Sequence, residues 1–277
     1  MVSEPKVGEI MFRLFVDRIS YSMVFLLHDS LNFGPSVGTG FLVGLGGHTY
    51  IASALHNFAF QGEGPIDVLR TWNETKFKFR DKGPLQFRES LDIPEEEFVL
   101  LPGVTLSADS SMLIDKKRDL IAVRVEPGGV IPRHVYPVEL KEGGYTGEIE
   151  SGASLITVGM PFAGRVKLRS GPTVFYPHTD HVRFDPNISP VGLPHSYDPK
   201  DHILYRYSNE LEGIGPKGYS GAPVWSNNSG GPESIWSVQP AIVGIALEYY
   251  KKRQLIQAVR IKHLLDLLQS ELISDQQ

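Results

Sequence analysis

The chain has 277 residues, 41% of them hydrophobic and 21% charged, which is enough apolar side chain for a sizeable core and too much for a disordered chain. Its formal net charge is −5 and its Lys and Arg residues are scattered, which argues against the basic face of a nucleic-acid-binding protein. It has no cysteine, so disulfides, thiolate metal sites and a cysteine nucleophile are excluded, and a reducing, cytoplasmic compartment is expected.

Residues 1–12 carry Glu4, Lys6 and Glu9, so no signal peptide is expected there. The apolar run Met23–Leu27 is too short to cross a membrane, and no membrane partner is expected. Short strand-like runs then follow one another: Ile19–Leu27, Gly40–Val43, Thr49–Ala54, Lys76–Arg80, Leu120–Val125, Ser154–Gly159, Thr173–Tyr176, Ile203–Tyr207 and Ala241–Leu247. This spacing predicts an all-β sandwich or barrel. Gly46-Gly47 reads as a hairpin turn. The glycine-rich stretch Gly143–Gly152 reads as a linker between residues 1–145 and 146–277. Phe60–Ser111 and Pro177–Asp201 read as long loops. One helix is predicted, from near Val259 to before Asp275, on the spacing of Ile261, Leu264, Leu265, Leu268 and Leu272.

The strongest chemical signal is Gly215-Pro-Lys-Gly-Tyr-Ser-Gly-Ala-Pro-Val224. A nucleophilic serine needs a tight backbone on which its own N–H and a neighbouring N–H converge on one oxyanion. Gly218 permits that curl, and Gly221 and Ala222 leave room for substrate. Taken alone, Gly-x-Ser-Gly is also an ordinary glycine turn. The lipase-type pattern does not fit, because position 222 is Ala and the chain continues as a strand. Upstream, the hairpin from Gly38 ends in Ser53-Ala54-Leu55-His56, which can hold a general base rigidly. Asp119 opens the strand Asp119–Val125, where a buried carboxylate can fix the tautomer of His56; the alternative is a solvated turn aspartate after Lys116-Lys117-Arg118. The chain order His56, Asp119, Ser220 matches the chymotrypsin-type triad.

Several segments together resemble the trypsin-like serine proteases, in particular the disulfide-free bacterial HtrA (Deg) branch. They are Gly38–Val43 with Ile51–His56, Asp119–Val125, Ser154–Phe162, Gly218–Pro223 and Val243–Leu247. The resemblance implies two β-barrels of the chymotrypsin-like fold, a C-terminal α-helix and an active site in the cleft between the barrels. It implies a serine endopeptidase acting on a protein or peptide, with one dedicated effector protein as a conceivable substrate, and no cofactor. The oxyanion hole would use the N–H groups of Gly218 and Ser220. The substrate pocket would have Ile214 at its base and Leu247 and Tyr249 along its wall, or Glu248 in place of Tyr249 if the strand register shifts by one. Tyr219 departs from the family's Asp or Asn, so an N-terminal ammonium has no carboxylate there to pair with, and Ala222 replaces a glycine. A latent, partner-activated protease and an inactive protease-fold binding module are the alternatives. His178 and His181 could suggest a metal pair, but no further ligands lie at a useful spacing, so no metal is expected.

Overall fold

The computed structural model describes residues 19, 22–30, 34–58, 75–79, 112–125, 137–140, 148–159, 165–167, 173–175, 178–193, 197–208, 216, 218–227 and 241–274. The first sheet uses β1 (Met23–Ser30), β2 (Gly34–Leu45), β3 (His48–Ala54), β4 (Thr75–Phe79), β5 (Met112–Asp115), β6 (Leu120–Val125) and β7 (Val138–Glu139). Its order is β4-β1-β2-β3-β6-β5, with β7 pairing parallel to β2. β8 (Ser154–Gly159) begins the second half, followed by the small pair β9 (Arg165–Lys167) and β10 (Thr173–Phe175), then β11 (His178–Arg183) and β12 (His202–Arg206). β13 (Pro223–Asn227), β14 (Ala241–Tyr250) and β15 (Leu255–Arg260) complete a six-stranded sheet in the order β11-β8-β13-β14-β15-β12. Its edge strands β11 and β12 approach each other, and Asp180 of β11 accepts the N–H of Ser208 just after β12. This sheet therefore curls toward closure.

The strands are apolar on both faces because each sheet is covered on both sides. Leu42, Ile51, Ile121 and Val123 point into the first sheet's own core. Their neighbours Phe41, Val43, Tyr50, Ala52 and Ala122 point the opposite way. There they meet Ile156, Val158, Trp225 and Ile245 of the second sheet in one shared core. A third core, with Leu155, Tyr205, Val224 and Ile256, fills the second sheet. The Gly46-Gly47 hairpin forms as expected between β2 and β3.

Helix α1 (Ile261–Ser274) follows β15 without a loop. Ile261, Leu264, Leu265 and Leu268 fill the shared core, so the helix braces both sheets. Two expectations from sequence are corrected here. The helix starts at Ile261 and not near Val259, because Val259 lies in β15 and reaches the same core from the strand. Pro177–Asp201 is also not loop throughout, since β11 alternates buried Asp180 with exposed His181 and Arg183. His181 contacts Ser154 Oγ across the β8–β11 pair. β4 lies inside the expected Phe60–Ser111 loop.

Polar contacts tie the helix to the first sheet. Asp201, just before β12, has Oδ1 2.9 Å from His263 Nε2 on α1 and Oδ2 3.4 Å from Arg118 Nε. Burial pushes the Asp201 carboxyl up, but Arg118, His263 and Lys117 outweigh it and its pKa lies below the ordinary value. Burial pushes both His263 and His202 down. The unfolded chain takes up protons at both imidazoles near pH 6.5, whereas the folded chain resists until lower pH. Over that interval the unfolded state binds more protons, so stability falls with acidification. Asp201 adds a further loss once the pH falls through its lowered pKa. The thermal midpoint should therefore drop between about pH 7.5 and pH 5.5, and His263→Gln should flatten part of that drop in melts followed by circular dichroism.

Candidate active site

β3 runs into a 3₁₀ turn, Leu55–Asn57, that carries His56 out of the first sheet. β5 and β6 are joined through Lys116–Asp119. Asp115 Oδ1 accepts the N–H groups of Lys117 and Arg118 at 3.0 and 3.1 Å, and Arg118 returns a 2.8 Å contact to Asp115 Oδ2. Asp119 therefore belongs to this turn, one residue before β6 begins, with a left-handed φ of 56°. Aspartate tolerates this region better than most residues. The conformation turns all of Asp119 toward the histidine. Its C=O accepts Leu55 N–H at 2.9 Å, its Oδ1 accepts His56 N–H at 2.9 Å, and its Oδ2 lies 2.5 Å from His56 Nδ1. An ionised carboxylate only accepts, so Nδ1 carries the hydrogen and Nε2 is left basic. The two side chains are 42% and 35% exposed, so the pair lies at an open surface.

Ser220 comes from the second sheet, in the tight chain before β13. Tyr219 N–H closes a turn on Pro216 C=O at 2.9 Å, with Gly218 at φ 106° in the third position, as a type II turn requires. Three successive peptides are then fixed. The Gly218 C=O accepts Thr39 Oγ1 at 2.7 Å. The Tyr219 C=O accepts Ala222 N–H at 2.8 Å. The Ser220 C=O accepts Asn57 Nδ2 at 2.7 Å and Thr39 N–H at 3.1 Å, while Gly221 N–H on the same peptide reaches Ala246 C=O at 2.7 Å. Among the described residues, the N–H groups of Gly218 and Ser220 donate to no partner.

The Ser220 hydroxyl donates to Leu247 C=O at 2.9 Å and makes no hydrogen bond with His56. That carbonyl faces the serine loop at a bulge, where β14 steps from Ala246 to Glu248 against one step of β15. Leu247 thus meets Ser220 through its main chain, and its expected pocket side chain lies in the shared core. Glu248 is exposed and accepts from the Tyr250 hydroxyl at 3.1 Å. Tyr249 stacks edge-on against Tyr207, with 5.6 Å between ring centres. Ile214 lies outside the described residues. Tyr219, which the sequence comparison marked as a departure from Asp or Asn, is 2% exposed. Its ring packs edge-on against Tyr207 and over Gly159, so hydrophobic burial anchors this loop.

The fold and this geometry bear directly on comparison with solved structures. The chain is similar to the protein solved as GrC, with a TM-score of 0.56 at 12% identity over 92% of this chain and 96% of that one. It is similar to a mutant of human heparin-binding protein, with a TM-score of 0.52 at 13% identity over 92% and 93% of the two chains. The fold is chymotrypsin-like. No protein-family model matches the chain, and no curated protein matches it in sequence.

In this chymotrypsin-like chain, His56 and Asp119 stand on the first sheet and Ser220 on the second. Sequence reading singled out these three and missed Thr39 and Asn57, which join the two sides, and the Ser53 hydroxyl that bridges them. They need the two halves to approach closely, and Gly221 permits that. A Cβ there would lie 1.9 Å from Thr39 O and 2.2 Å from Ser53 Oγ, at a φ of 86° that L side chains rarely adopt. Gly221→Ala should therefore cost more than about 2 kcal/mol, measured by urea unfolding.

Proposed function

We propose that the chain is a serine endopeptidase, with Ser220 as nucleophile, His56 as general base and Asp119 orienting the imidazole. The observation that carries the reading is the fixed serine loop, in which the N–H groups of Gly218 and of Ser220 itself have no partner among the described residues. In this scheme Ser220 Oγ attacks the substrate's carbonyl carbon and its proton passes to His56 Nε2. The Gly218 and Ser220 N–H groups receive the oxyanion. Collapse breaks the C–N bond, and the proton on His56 goes to the departing amine. Water, giving its proton to His56, then attacks the ester, and Ser220 Oγ leaves and regains a proton. Asp119 keeps Nδ1 protonated and offsets the imidazolium charge.

The HtrA-like sequence pattern and the lack of cysteine support a disulfide-free, cytoplasmic, bacterial protease acting on a protein or peptide, one dedicated effector protein among the candidates. Tyr219 supports activity without a freshly cut N-terminus, because its anchor is apolar. One observation favours the second reading, a latent enzyme: the Ser220 hydroxyl rests on Leu247 C=O. Attack requires that this hydroxyl leave Leu247 C=O and turn toward His56. The two readings separate on the free protein, which cleaves peptides in the first and requires a partner in the second.

Peptide-library cleavage read by mass spectrometry tests the proposal. Ser220→Ala should fold and show no turnover. Asp119→Asn should retain geometry but lose on the order of 10⁴ in turnover through the wrong tautomer. Cleavage by folded Ser220→Ala at the wild-type rate would end the serine mechanism.

A further inference from the structure

Two side chains of the first sheet hold the serine loop of the second, and neither belongs to the His56–Asp119 pair. Thr39 is fully buried, and its hydroxyl donates to Gly218 C=O. Asn57 directly follows His56, and its amide donates to Ser220 C=O at 2.7 Å and to Ser53 Oγ at 3.0 Å. Ser53 Oγ in turn donates to Thr39 O at 2.7 Å. Gly38 makes room for this amide, since a Cβ at 38 would come within 2.6 Å of the Asn57 side chain. Resting on the proposed serine chemistry, we infer that Thr39 and Asn57 are positioning residues that set the direction of the Gly218 and Ser220 N–H groups.

The argument follows from the peptide unit. Its C=O and N–H point in opposite directions and the unit is planar, so holding both ends stops it from turning. The 218–219 peptide is held by Thr39 Oγ1 at one end and Pro216 O at the other. The 220–221 peptide is held by Asn57 and Thr39 at one end and Ala246 O at the other. Each is therefore pinned partly to the first sheet, and the 219–220 peptide that bears the Ser220 N–H is caught between them. Without the Thr39 hydroxyl, the Gly218 C=O loses its hold and the backbone at Gly218, φ 106°, can rotate its N–H away. Glycine resists such rotation least of all residues. Because Asn57 adjoins His56, one short turn sets the base and the nucleophile's carbonyl together.

The test uses a fluorophosphonate probe, which phosphonylates only an activated serine with loss of fluoride, on the full chain across pH. Thr39→Val keeps the side-chain shape and removes the donor, and should slow the maximal labelling rate on the order of tenfold. Thr39→Ser should restore it, and Asn57→Ala should slow it similarly. The midpoint of the pH–rate curve should stay where it is in wild type, because the His56–Asp119 pair is untouched. Wild-type labelling by folded Thr39→Val, failure of Thr39→Ser to restore the rate, or a displaced midpoint would each overturn the inference. If Thr39→Val melts below the assay temperature, Asn57→Ala decides on the same readings. An unlabelled wild type would instead overturn the serine-protease reading itself, and the inference with it.

Discussion

The chemistry proposed for this chain depends on one constraint, that the 218–219 and 220–221 peptides on either side of the Ser220 N–H are each held at opposite ends by opposite halves of the molecule. Thr39 and Asn57 take carbonyls from one side, and Pro216 and Ala246 take N–H groups from the other. The loop has little room to turn, and among the described residues the donors left over are those of Gly218 and Ser220. Preorganised donors of this kind need no reorientation when charge develops, which makes them effective. The close approach needs Gly221, because any Cβ there would meet Thr39 O and Ser53 Oγ.

The rest of the fold keeps the two halves in register for these contacts. The shared core, with Phe41, Tyr50, Trp225 and Ile245 at its centre, makes the two sheets one packed unit. Helix α1 closes that core, and the Asp201–Arg118–His263 contacts tie the helix to the turn that ends in Asp119. The position of Asp119 thus rests on both halves. Within the second half, Tyr219 puts an aromatic side chain where an ion pair would need a charged partner. Burial of that ring against Tyr207 anchors the loop.

Much of this was legible in the sequence. Leu120–Val125 and Ser154–Gly159 form strands at the positions expected, because their β-branched and apolar runs are bounded by turn residues. The His56 and Asp119 segments are adjacent in space because β3 and β6 are neighbours. Other features depend on distant partners. The contacts of Thr39 and Asn57 span 179 and 163 residues, so nothing local marks them. The bulge that turns Leu247 C=O toward Ser220 depends on how β14 and β15 slip past each other. β11 was hidden by nearby prolines and by polar residues on its exposed face. The left-handed turn at Asp119 was hidden because its stabilising contacts come from Leu55 and His56.

The central claim is that the loop aims two N–H groups at one point beside Ser220. A crystal structure with a peptide boronate tests it most directly, since boron forms a tetrahedral adduct that mimics the reaction intermediate. The account predicts a bond from Ser220 Oγ to boron, with one boronate oxygen about 2.7–3.1 Å from both Gly218 N and Ser220 N. An adduct on another residue, or one whose oxygens all face away from those two groups, would contradict it.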